Sequence, residues 1–378
     1  MCFSHLRWDF VFQRPQQLMS RFADDLTVVY WEEPVEIGKR ETASLKVRSA
    51  EDYPRVRIVT PHLPEGMDEE RRGAALKRLL DAYCAGLNRP IVAWYYTPMM
   101  LAFSRGLDAS ITVYDAMDEL SKFRFAPPKL LDLEQELIDR ADLVFTGGSS
   151  LYEAKKDRHD SVHLFPSSVD RGHFEKARKM LPEPDDQADI PHPRLGFFGV
   201  IDERFDTELL DQIAKVRPDW SFVMVGPVVK ISEEDLPKRP NIHYLGSKKY
   251  EQLPAYLSGW DVALMPFAMN ESTEFISPTK TPEYLAGGKP VVSSPVKDVV
   301  RHYGHLEGVA IAGTAEEFVE QCEQMLKLDP NGDWLGEADL LLSATSWSIT
   351  QARMKGLIEE VLGERVRSDS SALLVAAE

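Results

Sequence analysis

The chain has 378 residues, 43% of them hydrophobic and 28% charged, with a formal net charge of -17. That length predicts roughly two domains, no apolar run approaches the roughly 20 residues of a membrane span, and the acidic balance argues against nucleic acid, whose phosphates are met mainly by lysine and arginine. Cys2, Cys84 and Cys322 are widely spaced and odd in number, which argues against a disulfide framework or a metal pattern. With no basic-then-apolar leader at the N-terminus, a reducing cytoplasm is the expected compartment.

In chain order, short apolar runs predict strands at 2–4, 26–30, 57–60, 91–95, 111–115, 143–146 and 162–165. Helical patterns at 15–23, 71–85, 129–140 and 149–156 lie between them. Because Met1 falls almost inside the first strand, a trimmed N-terminus is expected. The charged stretch 35–53 reads as a long loop, mobile near a cleft. Residues 179–193 are rich in proline and aspartate and read as a linker, placed at 181–193 between units 1–180 and 194–345. The alternation then restarts, with strands at 195–200, 221–225, 242–245, 262–265, 290–293 and 309–312 and helices at 208–216, 250–258, 281–286 and 315–327. A last helix is expected over 347–362, within a segment 346–365, and the tail 366–378 is expected to be mobile. Strands alternating with helices imply parallel sheets covered on both faces, with ligands beyond the C-terminal strand ends. The fold class is therefore α/β, as two Rossmann-like domains facing across a cleft.

The most informative stretch is 277–292, Ser-Pro-Thr-Lys-Thr-Pro-Glu-Tyr-Leu-Ala-Gly-Gly-Lys-Pro-Val-Val. It reads as a loop, a short helix, a glycine stop and a buried strand. Lys280 and Glu283 share one face of the first helical turn. Cation, open backbone amides and carboxylate together suit a sugar nucleotide diphosphate; the alternative is an amphipathic helix with solvated charges. Other chemistries lack their motifs: no Gly-x-Gly-x-x-Gly follows either first strand, and no Walker A sequence, Gly-x-Ser-x-Gly elbow or Asp-x-Asp pair occurs. Asp115 and Asp118 come closest to an acidic pair, at a strand end where a carboxylate faces a cleft or caps the next helix.

These residues carry a family resemblance. The segments are Phe3-Ser-His-Leu-Arg-Trp-Asp-Phe-Val-Phe-Gln-Arg-Pro-Gln-Gln-Leu18, Val113-Tyr-Asp-Ala-Met-Asp-Glu119, Leu164-Phe-Pro-Ser-Ser-Val-Asp170, Gly196-Phe-Phe-Gly-Val200, Val225-Gly-Pro227, Asp261-Val-Ala-Leu-Met-Pro-Phe267 and 277–292. With them the chain resembles the GT-B glycosyltransferases, most of all the family 4-like bacterial enzymes of cell-envelope and exopolysaccharide synthesis. The resemblance implies a C-terminal domain that holds a nucleotide sugar, an N-terminal domain that holds the acceptor, and a final helix that crosses back to the N-terminal domain.

Residue by residue, the resemblance implies that Glu283 holds the ribose hydroxyls and that Ser277, Pro278 and Thr279 form the loop approaching the diphosphate. Lys280 and Arg204 add charge there, and Gly199 lets the backbone come close. Gly226, Leu245 and Gly246 match the base-holding positions. Asp115 or Asp118 sits where the family touches the donor sugar or acceptor hydroxyl. His5, Gln13 and Arg14 lie on the acceptor side, although Arg14, just before Pro15, could instead anchor the loop. Arg204 could pair with Asp206 or Glu203. The chain departs from the family at Phe275, where the wider family has a second glutamate, and at Pro166-Ser-Ser-Val-Asp170.

The implied activity is transfer of a sugar from a nucleotide diphosphate sugar, a UDP-sugar by preference, to a glycan or lipid-linked acceptor. It is expected to retain configuration and to need no metal or other cofactor. A non-catalytic sugar-nucleotide-binding protein and a sugar-nucleotide epimerase are the alternatives. Peripheral contact with the inner membrane face is implied by analogy, and Arg71, Arg72, Lys77 and Arg78 offer a basic helix face for it.

Overall fold

Short runs of valine, isoleucine, leucine and aromatic residues, apolar on both faces, make strands that must be covered on both sides. The computed structural model describes residues 1–87, 90–179 and 181–375, and such runs build two sheets. The first contains β1 (Cys2–Phe3), β2 (Val28–Trp31), β3 (Val35–Ile37), β4 (Ser44–Ser49), β5 (Val56–Pro64), β6 (Val92–Tyr95), β7 (Ile111–Ala116), β8 (Leu143–Thr146) and β9 (Val162–Leu164). Their order is β3-β5-β2-β1-β6-β7-β8-β9, with β4 antiparallel to β5 and the other pairs parallel. The second contains β10 (Arg194–Phe198), β11 (Ser221–Val225), β12 (Ile242–Gly246), β13 (Val262–Met265), β14 (Val291–Ser293) and β15 (Val309–Ile311), all parallel, in the order β12-β11-β10-β13-β14-β15. Strand order reverses at β1 in the first sheet and at β10 in the second, and a parallel sheet opens a binding crevice at such a point. This is the GT-B architecture.

Each sheet has its own core. Phe197, Phe222, Val262, Leu264 and Leu285 are fully buried around the second sheet. Phe3, Trp31, Val59 and Tyr95 pack on one face of the first sheet, while Tyr30, Ile58, Val113 and Phe145 pack on the other. Trp347, Met354 and Ile358 belong to this last cluster although they follow the second sheet in the chain. They lie on the helix Trp347–Val375, which returns to the N-terminal unit, where Arg21 bonds Ser348 and Lys355 pairs with Asp25.

The structure departs from the sequence reading in four places. The charged stretch 35–53 holds β3 and β4, which pair with β5, so it is a sheet edge; its exposed alternation carries charge where an interior strand would carry apolar residues. The stretch 181–193 contains the helix Asp185–Ala188, and its buried Gln187 accepts a bond from Trp260 Nε1 (2.9 Å) and donates to the Tyr256 carbonyl (3.1 Å). Composition suggests a linker here, but the segment is packed onto the second sheet. Helices Lys297–Tyr303 and Asp333–Ser343 were not foreseen. Finally, the last helix runs past Leu362 to Val375, so the expected tail is helical over its described part, and 376–378 lie outside the described residues.

Candidate functional site

The two sheets present their C-terminal strand ends to a shared cleft of about 610 Å³. On the C-terminal side the wall begins with two glycines. Gly199, just after β10, has φ +147°, and Gly226, just after β11, has φ +146°; both values are costly for any residue with a Cβ. A side chain on Gly226 would run into the Gly199 carbonyl, and one on Gly199 would run into the Lys280 side chain. The bare backbone thus lets Lys280 lie directly against the end of β10. Lys280 forms no hydrogen bond or ion pair among the described residues, and burial pushes its pKa down while Glu283 pulls it up.

The helix Lys280–Ala286 carries the rest of this wall. Its residues from Thr281 to Ala286 are all buried, and Gly287 and Gly288 (φ +73°) end it. Arg178 ties down the far end, donating from Nε to the Ala286 carbonyl (2.7 Å) and from Nη2 to that of Leu285 (3.2 Å). Tyr284 is fixed by its hydroxyl, which accepts from the Phe198 N–H (3.0 Å). Glu283 is 7% exposed and lines the cleft. Burial raises its pKa to about 7, opposed by Lys280 and by a hydrogen bond from Thr279. A carboxyl held there without a strong partner suits a ligand that brings its own hydroxyl donors. Ser277, Pro278 and Thr279 complete this wall.

Arg204 also lines the cleft, but its partner is Asp202, not Asp206 or Glu203. Nε and Nη2 reach the two Asp202 oxygens at 3.0 and 2.7 Å. Phe123, from the N-terminal unit, lies under both Arg204 (5.5 Å) and Lys230 (5.0 Å). Lys230 was not foreseen. Its only signal in the sequence is its place four residues beyond Gly226, in the loop leaving β11.

The N-terminal wall is different. Asp118 lines the cleft, and burial raises its pKa to about 6, with Arg204 pulling it down and Asp202 pushing it up. Asp115 does not reach the cleft. It is fully buried and held by Arg14, whose Nε sits 3.1 Å from both carboxylate oxygens and whose Nη2 is 2.8 Å from Oδ1. The remaining Arg14 donor goes to the Phe165 carbonyl (2.8 Å). Arg14 thus ties the loop to Asp115 and Phe165 while itself standing in the lining of the cleft, on the side expected for the acceptor, and Asp115 is its counter-ion. His5 is not on the cleft wall either; its Nδ1 is buried without a partner, and burial lowers its pKa to about 4. Gln13 is on the wall. Leu245 packs on the second core, and Gly246 stands behind Gly226, whose N–H it accepts at 2.9 Å, so neither lines the cleft. Phe275 packs against the N-terminal core and stays out of the cleft.

The aromatic run at 8–12 divides by position. Trp8 is buried edge-on against Tyr30 and Tyr53, Phe12 meets Tyr250 of the C-terminal unit at 4.9 Å, and Phe10 is exposed on the cleft wall. Tyr250, with Gln17 Nε2 donating to its hydroxyl at 3.0 Å, is a contact between the units that the sequence did not signal. The basic helix face is largely neutralised: Arg71 pairs with Asp68, Arg72 with Glu36 and Lys77 with Asp81.

Comparison with known proteins places the fold and part of the chain among glycosyltransferase-like proteins. Residues 192–328 match the family described as glycosyl transferases group 1. The chain is 26% identical over 263 residues to the putative teichuronic acid biosynthesis glycosyltransferase TuaH of Bacillus subtilis (strain 168), an alignment that spans 64% of either protein. Among solved structures it is similar to sucrose-phosphate synthase from Thermosynechococcus elongatus (TM-score 0.63, 16% identity, 92% of each chain). It is also similar to HepE from Anabaena in complex with UDP and glucose (TM-score 0.67, 12% identity, 95% of this chain and 98% of that one). The wall built by Gly199, Gly226, Lys280 and Glu283 thus lies within residues 192–328, the stretch that matches the glycosyl transferases group 1 model, in a chain whose fold is that of the GT-B structures.

Proposed function

We propose that the chain is a glycosyltransferase that moves a sugar from a nucleoside diphosphate sugar, by preference a UDP-sugar, to a glycan or lipid-linked acceptor in polysaccharide or cell-envelope synthesis. The observation that carries the reading is the placement of Lys280 and Glu283 on one turn of a cleft-facing helix, beside two side-chain-free strand ends. Glu283 accepts the ribose hydroxyls. Lys280, the backbone at Gly199 and Gly226, and the loop 277–279 hold the diphosphate.

Bond breaking at the anomeric carbon moves negative charge onto the diphosphate. Lys280 and Arg204 meet that charge where it develops. Arg204 swings from Asp202 or shares its guanidinium with the phosphate. The transferring sugar gains oxocarbenium character. In the retaining course favoured here the leaving phosphate takes the acceptor proton, and Asp118 orients the acceptor hydroxyl or steadies the sugar. In this reading no metal is called for, because Lys280 and Arg204 supply the positive charge that a bound metal would otherwise bring. A lipid-linked acceptor would bring the protein to a membrane face, and the exposed Phe125, 78% accessible beside Arg124, supports that contact.

The testing experiment incubates the protein with UDP-, GDP- and dTDP-sugars, with and without glycan acceptors. Acceptor-dependent release of the nucleoside diphosphate supports the transferase. Sugar interconversion without release would make it an epimerase, and tight binding with neither would make it a binding protein.

A further inference from the structure

The two units are joined by a buried carboxylate remote in sequence from its partners. Asp298, on the helix Lys297–Tyr303 after β14, is 1% exposed. It accepts three hydrogen bonds from the N-terminal unit: the Ser149 N–H at 2.7 Å, the Ser150 N–H at 2.9 Å and the Ser150 hydroxyl at 2.6 Å. One turn further along, His302 Nε2 meets the Ser149 hydroxyl at 2.8 Å. These serines open the helix Ser149–Lys155, so the carboxylate of one unit satisfies open amides of the other.

The two glycines just before these serines touch both walls of the cleft. A side chain on Gly147 would stand 2.8 Å from the carbonyl of Met117, the residue before Asp118. One on Gly148 would stand 2.5 Å from Asp298 Oδ2 and 2.6 Å from Ser277 Cβ. The contact thus backs directly onto the Asp118 turn and onto the loop 277–279.

We infer that Asp298 with Ser149 and Ser150 is a closing latch that sets the spacing between the Asp118 wall and the Ser277–Lys280 wall. Asp298 is a positioning residue and does not touch substrate. The latch rests on the proposed function for its catalytic consequence, but not for its existence. When it is made, the loop 277–279 is pressed against Gly148 and the cleft excludes water. When it is broken, the carboxylate and the open amides return to water, the loop loses its backing, and the donor meets an incomplete wall.

The test compares wild type with Asp298→Asn, Ser150→Ala and Gly148→Ala in two arms. In the first, small-angle X-ray scattering reads the radius of gyration with and without UDP. The latch predicts larger radii for Asp298→Asn and Gly148→Ala without nucleotide, and partial recovery with saturating UDP. In the second, donor turnover is followed. Loss of charge-assisted bonds to the carboxylate raises the donor KM about tenfold, kcat falls less, and a larger share of donor is lost to water. Ser150→Ala, which keeps both amide bonds, shows a smaller effect of the same kind. Unchanged radii together with unchanged KM and unchanged transfer-to-hydrolysis ratio overturn the latch, as does a lowered melting temperature with KM and that ratio intact. If wild type transfers no sugar, the proposed function fails, and the scattering arm alone decides the latch.

Discussion

The two walls of the cleft are built on opposite principles. On the N-terminal side the strongest charges are spent on each other: Arg14 and Asp115 form a buried, multiply bonded pair, with the last arginine donor on the Phe165 carbonyl. On the C-terminal side Lys280 has no ion-pair partner among the described residues, Glu283 is held only loosely, and the ends of β10 and β11 are bare glycines. A satisfied pair shapes a wall, whereas unsatisfied groups of opposite sign on one helical turn wait for a ligand that satisfies both. Asp118 is the exception on the N-terminal wall, a cleft carboxyl with no direct partner among the described residues.

The contrast can be broken by removing one member of each set. The largest effect is expected for Arg14→Met. It strands Asp115 in the core and costs about 3–5 kcal/mol of stability, read as a lower denaturation midpoint. Where the protein stays folded, its affinity for UDP is expected to be unchanged. Glu283→Ala should do the reverse. Calorimetric titration should show UDP bound about 10- to 100-fold more weakly, with the denaturation midpoint nearly unmoved. Asp118→Asn sharpens the comparison within one wall: turnover falls about tenfold or more, while UDP affinity stays at the wild-type level.

The smallest effect concerns pH. Glu283 is raised to about 7 in the folded chain, so it binds its proton more tightly there than when unfolded. That adds stability below the unfolded value near 4.5, and the contribution is lost as pH rises through about 7. Asp118 acts with the same sign, its contribution being lost as pH rises through about 6. Between pH 5 and pH 8 these two carboxyls therefore pull the ligand-free melting temperature down, against the opposite pull of the buried His5, and Glu283→Gln should lose less stability than wild type toward the upper end of that range.

Much of this was legible in the sequence, for physical reasons that also mark where legibility ends. Parallel strands buried on both faces are continuous apolar runs, so β10, β11, β13 and β14 stand out, and the glycines that follow β10 and β11 mark the strand ends where a ligand approaches. Lys280 and Glu283 were readable because helical spacing places them on one face. The Arg14–Asp115 pair was not, since its members are 101 residues apart and nothing local couples them. The same holds for Asp298, 149 residues from Ser149. The edge strands β3 and β4 were missed because an exposed edge carries the charged residues that a loop carries. The packed segment around Gln187 has linker composition and docks through Gln187, Asp186 and Arg194, whose partners are remote in sequence or on the backbone and leave no local pattern.

The most direct test of the contrast is a crystal soaked with UDP. The account predicts the ribose hydroxyls on Glu283, the diphosphate between Lys280 and the backbone of Gly199 and Gly226, and the Arg14–Asp115 pair undisturbed. A nucleotide bound on Arg14, or one that leaves Glu283 untouched, would contradict it.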